Sequence, residues 1–483
     1  MSSLRTSFIS GVLYTGAAKY IGIVVGIVIT AILARLISPE DFGVIAIATV
    51  FINFFSTLTT VGISPAVVQN KTITEDELRS INSFTFIIAG VITLLYICSI
   101  PLIINIYDGN EMLSNIMLLL SVNVFFSVAA TIPNAMILKT KMFKFIAIRT
   151  IVIQIVLGII SVAAALLGAG IYALMINPIG SSIILFVVNF KKFPIGFARL
   201  SKSATNKILS FSVFQMLFNL VYLGYRNIDK LIVGNYFGLK SLGYYEKSYR
   251  LMLMPIENIS SVTSPVLHPL LSEYQNDRNK IWDTYVLMIE TLAEFSFILS
   301  VALYFLADAI ITIMYGDQWL SAIPVFKILA LSTAFQLLQI PIGAVLQSIN
   351  KVKGLFYSSL ILFGFVCLTS VGAVWLNEFL YIAVGLDIAF ICGFIVYQFF
   401  VSKYFDKTIT EILSKIIRPL CIGIGMFAIC YVCKMFVPMD NVWLQLCFYS
   451  TFTLIVTLIL MKTGNMDNTL NLVKSFTKKM RKS

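Results

Sequence analysis

Runs of about 20 apolar residues recur fourteen times along this chain, separated by short polar clusters. A helix needs about that many to cross a hydrocarbon core of roughly 30 Å. The runs cover approximately 8–37, 42–67, 80–106, 112–138, 145–167, 170–190, 207–235, 241–272, 282–306, 319–348, 354–376, 379–401, 414–437 and 441–461. Each is a candidate transmembrane helix. A spanning β-barrel would alternate apolar and polar residues over strands of about 10 residues, and these unbroken runs do not. The 483-residue chain is 59% hydrophobic and 12% charged, with a mean hydropathy of +0.92. Soluble domains carry roughly 25% charged residues, so too little polar material is left here to wet a water-soluble fold. The first run, about Phe8 to Ile37, exceeds the roughly 7–15-residue core of a secretory signal, and no cleavable signal peptide is expected.

Positive charge tests the count independently, because short cytoplasmic loops collect Lys and Arg. With the N-terminus inside, the inner segments hold Arg5, Lys71, Arg79, Lys139, Lys141, Lys144, Arg149, Lys191, Lys192, Arg199, Lys202 and Lys207. They continue with Arg278, Lys280, Lys351, Lys353, Lys403, Lys407, Lys415, Arg418 and a basic tail from Lys462 to Lys482. The outer loops hold only Arg35, Lys240 and Lys434, each at a helix end, while YDGNE (107–111) and YGDQW (315–319) are acidic. One span more or fewer would break this alternation. Fourteen spans with both termini cytoplasmic is therefore the expected topology. The net charge of +12 is explained by anchors facing anionic lipid, with no need for nucleic acid as a partner. The seven cysteines lie in or beside apolar runs. Cys430-x-x-Cys433 has redox or metal spacing but no nearby His or Asp, so a structural role is expected, with no metal and no cofactor.

Sliding the chain against itself by 200 positions reveals an internal repeat. Phe42-Gly43 falls on Leu242-Gly243, and Ser64-Pro65 of VGISPAVV on Ser264-Pro265 of SVTSPVLH. Ile132-Pro133 of TIPNAMILK matches Ile340-Pro341 of QIPIGAVLQ at an offset of 208. The second copy begins six helices after the first, an even number, so both copies share one orientation. Parallel repeats about an axis along the membrane normal belong to alternating-access transporters. The expected fold is all-α and polytopic, with 14 transmembrane helices in two parallel six-helix lobes around a central cavity plus a C-terminal pair. The boundaries are residues 1–195 for helices 1–6, 196–405 for helices 7–12, 406–462 for helices 13 and 14, and 463–483 for the tail.

Three stretches, ILARLISPEDFGVIAIATVFINFF (32–55), VGISPAVVQNKTITEDEL (61–78) and NIDKLIVGNYFGLKSLGYYEKSYRLMLMP (227–255), resemble Wzx-type polysaccharide flippases. These are the lipid-linked oligosaccharide exporters of the multidrug/oligosaccharidyl-lipid/polysaccharide (MOP) superfamily. The similarity runs to about residue 400, and the N-DK-LIVG-x-F-G-x-x-x-L-GYY-x-x-x-YRL string carries it most specifically. The resemblance implies two lobes around a cavity that opens to one side of the bacterial cytoplasmic membrane and then the other. It also implies that an undecaprenyl-diphosphate-linked sugar repeat unit moves outward for surface polysaccharide assembly, with membrane lipid, polysaccharide polymerase and glycosyltransferases as partners.

A charge at the bilayer centre costs several kcal/mol, so a buried one marks either a functional cavity or a structural pair. RNIDKLIVG (226–234) places two cations and an acid inside run 7. On a continuous helix Arg226 and Lys230 share a face, and Asp229 reaches the same stripe. In run 8, Glu246 and Arg250 stand four apart with Lys247 flanking, where it can snorkel to the outer interface. Arg meets a diphosphate with a bidentate fork and Lys as a point charge. Arg226, Lys230 and Arg250 are thus candidates for the substrate anion. The competing reading makes Arg226–Asp229 and Glu246–Arg250 structural pairs. Lys19 in run 1 is the first candidate, because residues 1–39 contain no carboxylate and runs 1–6 carry none in their interiors.

Buried acids occur only in the second half. Asp229, Glu290 with Glu294 one turn on, and the isolated Asp387 are candidates for coupling to Na⁺ or H⁺, or for hydrogen bonds between helices. His268 near the end of run 8 reads as a packing residue. Intramembrane prolines kink helices, and Pro65 with Pro265, present in both copies, are candidate paired hinges. A cation-coupled multidrug exporter of the same superfamily would want acids in the first lobe. A membrane-embedded glycosyltransferase or polymerase would want a large outer loop or catalytic domain. The sequence offers neither, nor a catalytic triad or phosphate-binding loop.

Overall fold

The computed structural model describes residues 2–60, 63–70, 73–201, 213–274, 277–436 and 441–462. Lys71, Lys202, Lys207 and the tail 463–483 lie outside the described residues, and for Pro65, Pro265 and His268 only the backbone is described. The first half contains α1 (Ser2–Leu36), α2 (Pro39–Thr60), α3 (Ile63–Gln69), α4 (Glu75–Ile106), α5 (Glu111–Ala129), α6 (Thr131–Lys139), α7 (Phe143–Leu166) and α8 (Tyr172–Lys192). Then follow α9 (Val213–Tyr225), α10 (Ile228–Tyr236), α11 (Gly238–Glu273), α12 (Arg278–Tyr315), a 3-10 turn at Asp317–Trp319, α13 (Ala322–Leu338) and α14 (Ile340–Ser348). The chain finishes with α15 (Val352–Trp375), α16 (Leu380–Phe405), α17 (Ile409–Phe436) and α18 (Val442–Lys462).

Among the described residues there is no strand, and 12 spans are long and apolar enough to cross a membrane. The two expected spans missing from that set are the seventh and eighth. The seventh is interrupted at Arg226–Asn227, between α9 and α10. The eighth, α11, carries Lys240, Glu246, Lys247, Arg250, Glu257 and Glu273. The described helices on either side of the break are 13 and 9 residues long, too short to span, and α11 is the most polar of the long helices.

Local chemistry sets several helix ends. Thr74 and Glu77 form a reciprocal capping box at the start of α4, satisfying two otherwise orphaned N–H groups. The Asn110 side chain accepts from Leu113 N–H to start α5, and Asp277 accepts from Lys280 N–H to start α12. Two spans break inside the apolar region. The fourth stops at Ala129 and resumes at Thr131, and the tenth stops at Leu338 and resumes at Ile340. Pro133 and Pro341 explain both breaks. Neither has an N–H to give to the carbonyl four residues back, and each ring crowds that carbonyl. The repeat visible in the sequence therefore recurs as a shared break. α11, by contrast, runs unbroken through Pro265.

The chain divides into two compact units, residues 1–223 with 234–243, and residues 224–233 with 244–483. In the first unit, the half-helices α3 and α6 meet in a core formed by Ile63, Val67, Ile81, Ile132, Ala135 and Ile195. The segment after α8 is strapped along α4. Asn82 Nδ2 donates to the Ile195 carbonyl at 3.2 Å, Ala198 N–H to Ser83 Oγ at 3.0 Å, and Ser201 N–H to Ser80 Oγ at 2.8 Å. In the second unit, α17 and α18 pack on α12 through Ile298, Val301, Phe305, Met426, Cys430 and Tyr449.

The helix carrying Lys19 is registered against α7 by one polar contact. Gln154 Nε2 donates to the Gly22 carbonyl at 2.7 Å. A Cβ on Gly22 would stand 3.0 Å from Gln154 Oε1, and one on Gly26 would stand 3.1 Å from Nε2. Two missing side chains thus make room for the amide. Interhelical hydrogen bonds in membranes contribute roughly 0.6–1.7 kcal/mol. Gln154→Leu is expected to lower the thermal unfolding midpoint in detergent by a shift equivalent to that energy, while Gln154→Asn retains part of it.

Candidate functional site

Arg226 lies in the two-residue interruption between α9 and α10. Non-helical backbone at membrane depth is tolerated where it is buried in protein or faces water. Here Asn227 N–H turns back to the Gly224 carbonyl at 3.1 Å, and Leu231 N–H reaches the Asn227 carbonyl at 3.2 Å. The break also means that Arg226 and Lys230 do not lie on one continuous helix, as the sequence spacing suggested. The guanidinium is held from three other helices. Its Nη1 donates to Gln336 Oε1 on α13 at 2.9 Å and to the Tyr249 hydroxyl on α11 at 3.3 Å. The ring of Phe390 on α16 lies 5.6 Å from its Cζ.

One turn on, charge pairing departs from the spacing expected of the sequence. Lys230 Nζ reaches Glu246 on α11 at 2.8 Å and sits 4.9 Å from the centre of the Tyr249 ring. Asp229 is fully buried and accepts a hydrogen bond from the Tyr245 hydroxyl. The pairing that forms is therefore Lys230–Glu246, between helices. It leaves Arg250, exposed and four residues from Glu246, without an ion pair among the described residues. Lys247, expected to snorkel outward, is 7% exposed and packs beside Tyr315 at 5.5 Å and Trp319 at 5.9 Å.

The remaining candidates separate clearly. Lys19 is half-buried on α1, and no ion pair or hydrogen bond to it occurs among the described residues. Glu290 pairs with Lys415 at 3.5 Å, and Glu294 is buried on the same helix. Asp387 is buried on α16 beside the Ser332 hydroxyl of α13. Its Oδ1 has no hydrogen-bond partner among the described residues. Lys327 is neutralised at Asp308, 2.7 Å away, which Lys434 also approaches at 3.7 Å.

The structure adds Gln336, which sequence reasoning missed. It is 3% exposed and accepts from Arg226. Its Nε2 faces Ser332 Oγ at 3.2 Å and Met252 Sδ at 3.0 Å. A polar amide inside the apolar stretch KILALSTAFQLL was the available signal. Half-buried Arg226 and buried Gln336, Ser332 and Asp387 form a polar file within the second unit. Arg226, Lys230, Lys247 and Arg250 outnumber Asp229 and Glu246. Such a cluster can hold a compact anion or transmit charge, but it contains no arrangement of nucleophile and base. Among the described residues no group of His, Cys, Asp or Glu is arranged to hold a metal ion.

The fold and site define a polytopic helical membrane protein with a cation-rich, hydrogen-bonded interior. A family model described as polysaccharide biosynthesis protein matches residues 32–324, more than half the chain. The chain belongs to that family, among the polysaccharide flippases of the MOP superfamily, as its resemblance to Wzx-type sequences implied. It is 24% identical over 443 residues to the teichuronic acid biosynthesis protein TuaB of Bacillus subtilis (strain 168), covering 89% of this chain and 90% of that one. It is 23% identical over 364 residues to the lipopolysaccharide biosynthesis protein WzxC of Escherichia coli (strain K12), covering 72% of each. Among solved structures, the lipid II flippase MurJ in an inward closed conformation superposes with a TM-score of 0.77 at 17% identity, over 94% of this chain and 99% of that one. An inward-facing multidrug transporter of the MATE family gives 0.60 at 14% identity, over 79% and 95%. At these identities the superpositions speak for fold alone.

The Lys230–Glu246 pair has side chains only 11% and 24% exposed. Removing one partner of such a pair costs roughly 3–5 kcal/mol, because the other is left charged in a dry site. Lys230→Ala is expected to destabilise the detergent-solubilised protein more than Lys230→Ala/Glu246→Ala does, as read by thermal unfolding of both variants.

Proposed function

We propose that this protein moves an undecaprenyl-diphosphate-linked oligosaccharide from the inner to the outer face of the bacterial cytoplasmic membrane by alternating access. Fourteen spans, both termini cytoplasmic, and two like-oriented lobes around a water-filled chamber form the architecture of this reading. Family membership supports it, as do the 200-residue repeat and the alternation of basic loops. The observation that carries the substrate chemistry is the charge balance. Cations at membrane depth exceed their acids, and Lys19 and Arg250 have no carboxylate paired to them among the described residues.

A diphosphate supplies the missing negative charge. Lys19 and Arg250 meet it directly, and Arg226, held in place by Gln336 and Tyr249, presents its remaining charge alongside. Charge-assisted hydrogen bonds of this kind contribute roughly 1.5–3 kcal/mol each. The glycan is left to wet surfaces, which permits different sugars on one lipid carrier. No bond is made or broken, so the protein is a transporter rather than an enzyme. Polymerase and glycosyltransferases act before and after it.

Coupling falls to Asp387 in this reading. Glu290 is neutralised by Lys415, and Asp229 is engaged by Tyr245. Asp387 keeps an open carboxylate oxygen in an apolar helix, and an unpaired charge there must take up H⁺ or Na⁺. The multidrug alternative is disfavoured by the lack of an acid in the interior of the first six runs.

In a strain that depends on this protein for surface polysaccharide, Lys19→Ala and Arg250→Ala are expected to reduce polymer by about 10- to 100-fold at unchanged protein level, with Lys19→Arg retaining most activity. Surface polymer that is unaffected in both alanine variants contradicts the anion-binding role. Asp387→Asn is expected to abolish the response of transport to an imposed H⁺ or Na⁺ gradient. An unchanged response removes Asp387 from coupling.

A further inference from the structure

The short stretch 234–243 belongs by its contacts to the first unit, although the chain on both sides of it belongs to the second. Its attachment within the first unit has an unusual form. A Cβ placed on Gly43, in the second turn of α2, would lie 2.7 Å from the carbonyl carbon of Leu239 at the start of α11. A Cβ placed on Gly243, in the second turn of α11, would lie 2.7 Å from the carbonyl carbon of Pro39 at the start of α2. Each carbonyl oxygen would be closer still. Both helices thus touch backbone to backbone, and each glycine receives the first turn of the other helix.

The contact is reciprocal, and its members are paired at one offset. Residues 39 and 239 supply the carbonyls and 43 and 243 supply the glycines, 200 positions apart in each case. Two copies of one helix start are therefore packed about a local two-fold relation. Gly234, at the other end of the same stretch, extends the seam. Its Cβ would stand 3.0 Å from Ile47 and 3.2 Å from Tyr107. Glycine costs about 1 kcal/mol relative to alanine in a helix interior, so two of them in the second turns of α2 and α11 call for a reason. Close helix approach is one that membrane proteins use.

We infer that Gly43 and Gly243 are positioning residues for transport, forming a seam that shuts the expected outer end and parts when the protein opens outward. Backbone contact makes the seam all-or-none, since no side chain is present to bend or rearrange. Without Cβ atoms the two helix starts close fully. With one, the approach fails by about a methyl group, and the closed state is disfavoured. The contact that the glycines make is backbone against backbone, with no charged side chain among the atoms nearest either added Cβ. Glu40 and Lys240, next to the two carbonyls and both exposed, mark its rim.

The test uses the full-length chain with its seven cysteines replaced by serine. Glu40→Cys and Lys240→Cys are introduced together and treated with a short bismaleimide in intact cells. Efficient cross-linking is expected, and the cross-linked protein is expected to stop supporting polysaccharide export. Adding Gly43→Ala or Gly243→Ala is expected to lower cross-linking yield and export by about tenfold each. Gly90→Ala, where nothing lies within 4 Å of the added Cβ, serves as the control and leaves both unchanged. Export that continues through the cross-link shows a static contact and overturns the inference. So does normal cross-linking in both alanine variants. The export readout rests on the flippase reading and the cross-linking readout does not. A seam that forms and responds to the glycines in a protein that exports nothing would therefore condemn that reading and leave the contact standing.

Discussion

A charged side chain inside a bilayer must find an opposite charge, a set of hydrogen bonds or water, because hydrocarbon provides none of them. That constraint shapes the second unit of this protein. Arg226 sits where a helix breaks, and its guanidinium is received by an amide, a phenol and an aromatic face from α13, α11 and α16. Lys230 crosses to Glu246, and Asp229 is held by Tyr245. These contacts tie Arg226 and α10 to α11, α13 and α16 within that unit. Removing the charges would leave a loosely specified apolar bundle. Hydrogen bonds in such a low-dielectric interior are stronger than in water, and that strength is what fixes these helices against one another.

The surplus of positive charge has the opposite consequence. Lys19 and Arg250 are not used up by the framework, and a group held at membrane depth without an acid favours an anionic visitor. In the proposed function that visitor is a diphosphate-linked lipid, whose charge is concentrated at one point while its two ends, polyprenyl and glycan, are left to lipid and water.

Much of the fold was legible in the sequence because membrane helices announce themselves by length and hydropathy. The apolar runs read correctly as a polytopic helical protein. The repeat at 132–133 and 340–341 reappears as a pair of helix breaks, since proline removes a backbone hydrogen bond at both places. Partners were harder to read. Spacing along one helix suggested Arg226–Asp229 and Glu246–Arg250, but the ion pair that forms joins α10 to α11. A one-dimensional pattern cannot report which neighbouring helix comes closest. Gln336 was overlooked for the same reason, because its importance lies in what it touches. The Gly43 and Gly243 match was visible as a coincidence of letters, and its meaning emerges only from the carbonyl that each glycine faces.

The central claim is that uncompensated cations in a two-unit helical bundle recognise a lipid diphosphate. The most direct measurement is reconstitution of the purified protein into proteoliposomes with a fluorescent short-chain polyprenyl-diphosphate glycan, following its passage to the opposite leaflet. The account predicts protein-dependent translocation that is competed by polyprenyl diphosphate lacking the sugar and is unaffected by a neutral glycolipid bearing the same sugar. Equal transport or competition by the neutral glycolipid would contradict it.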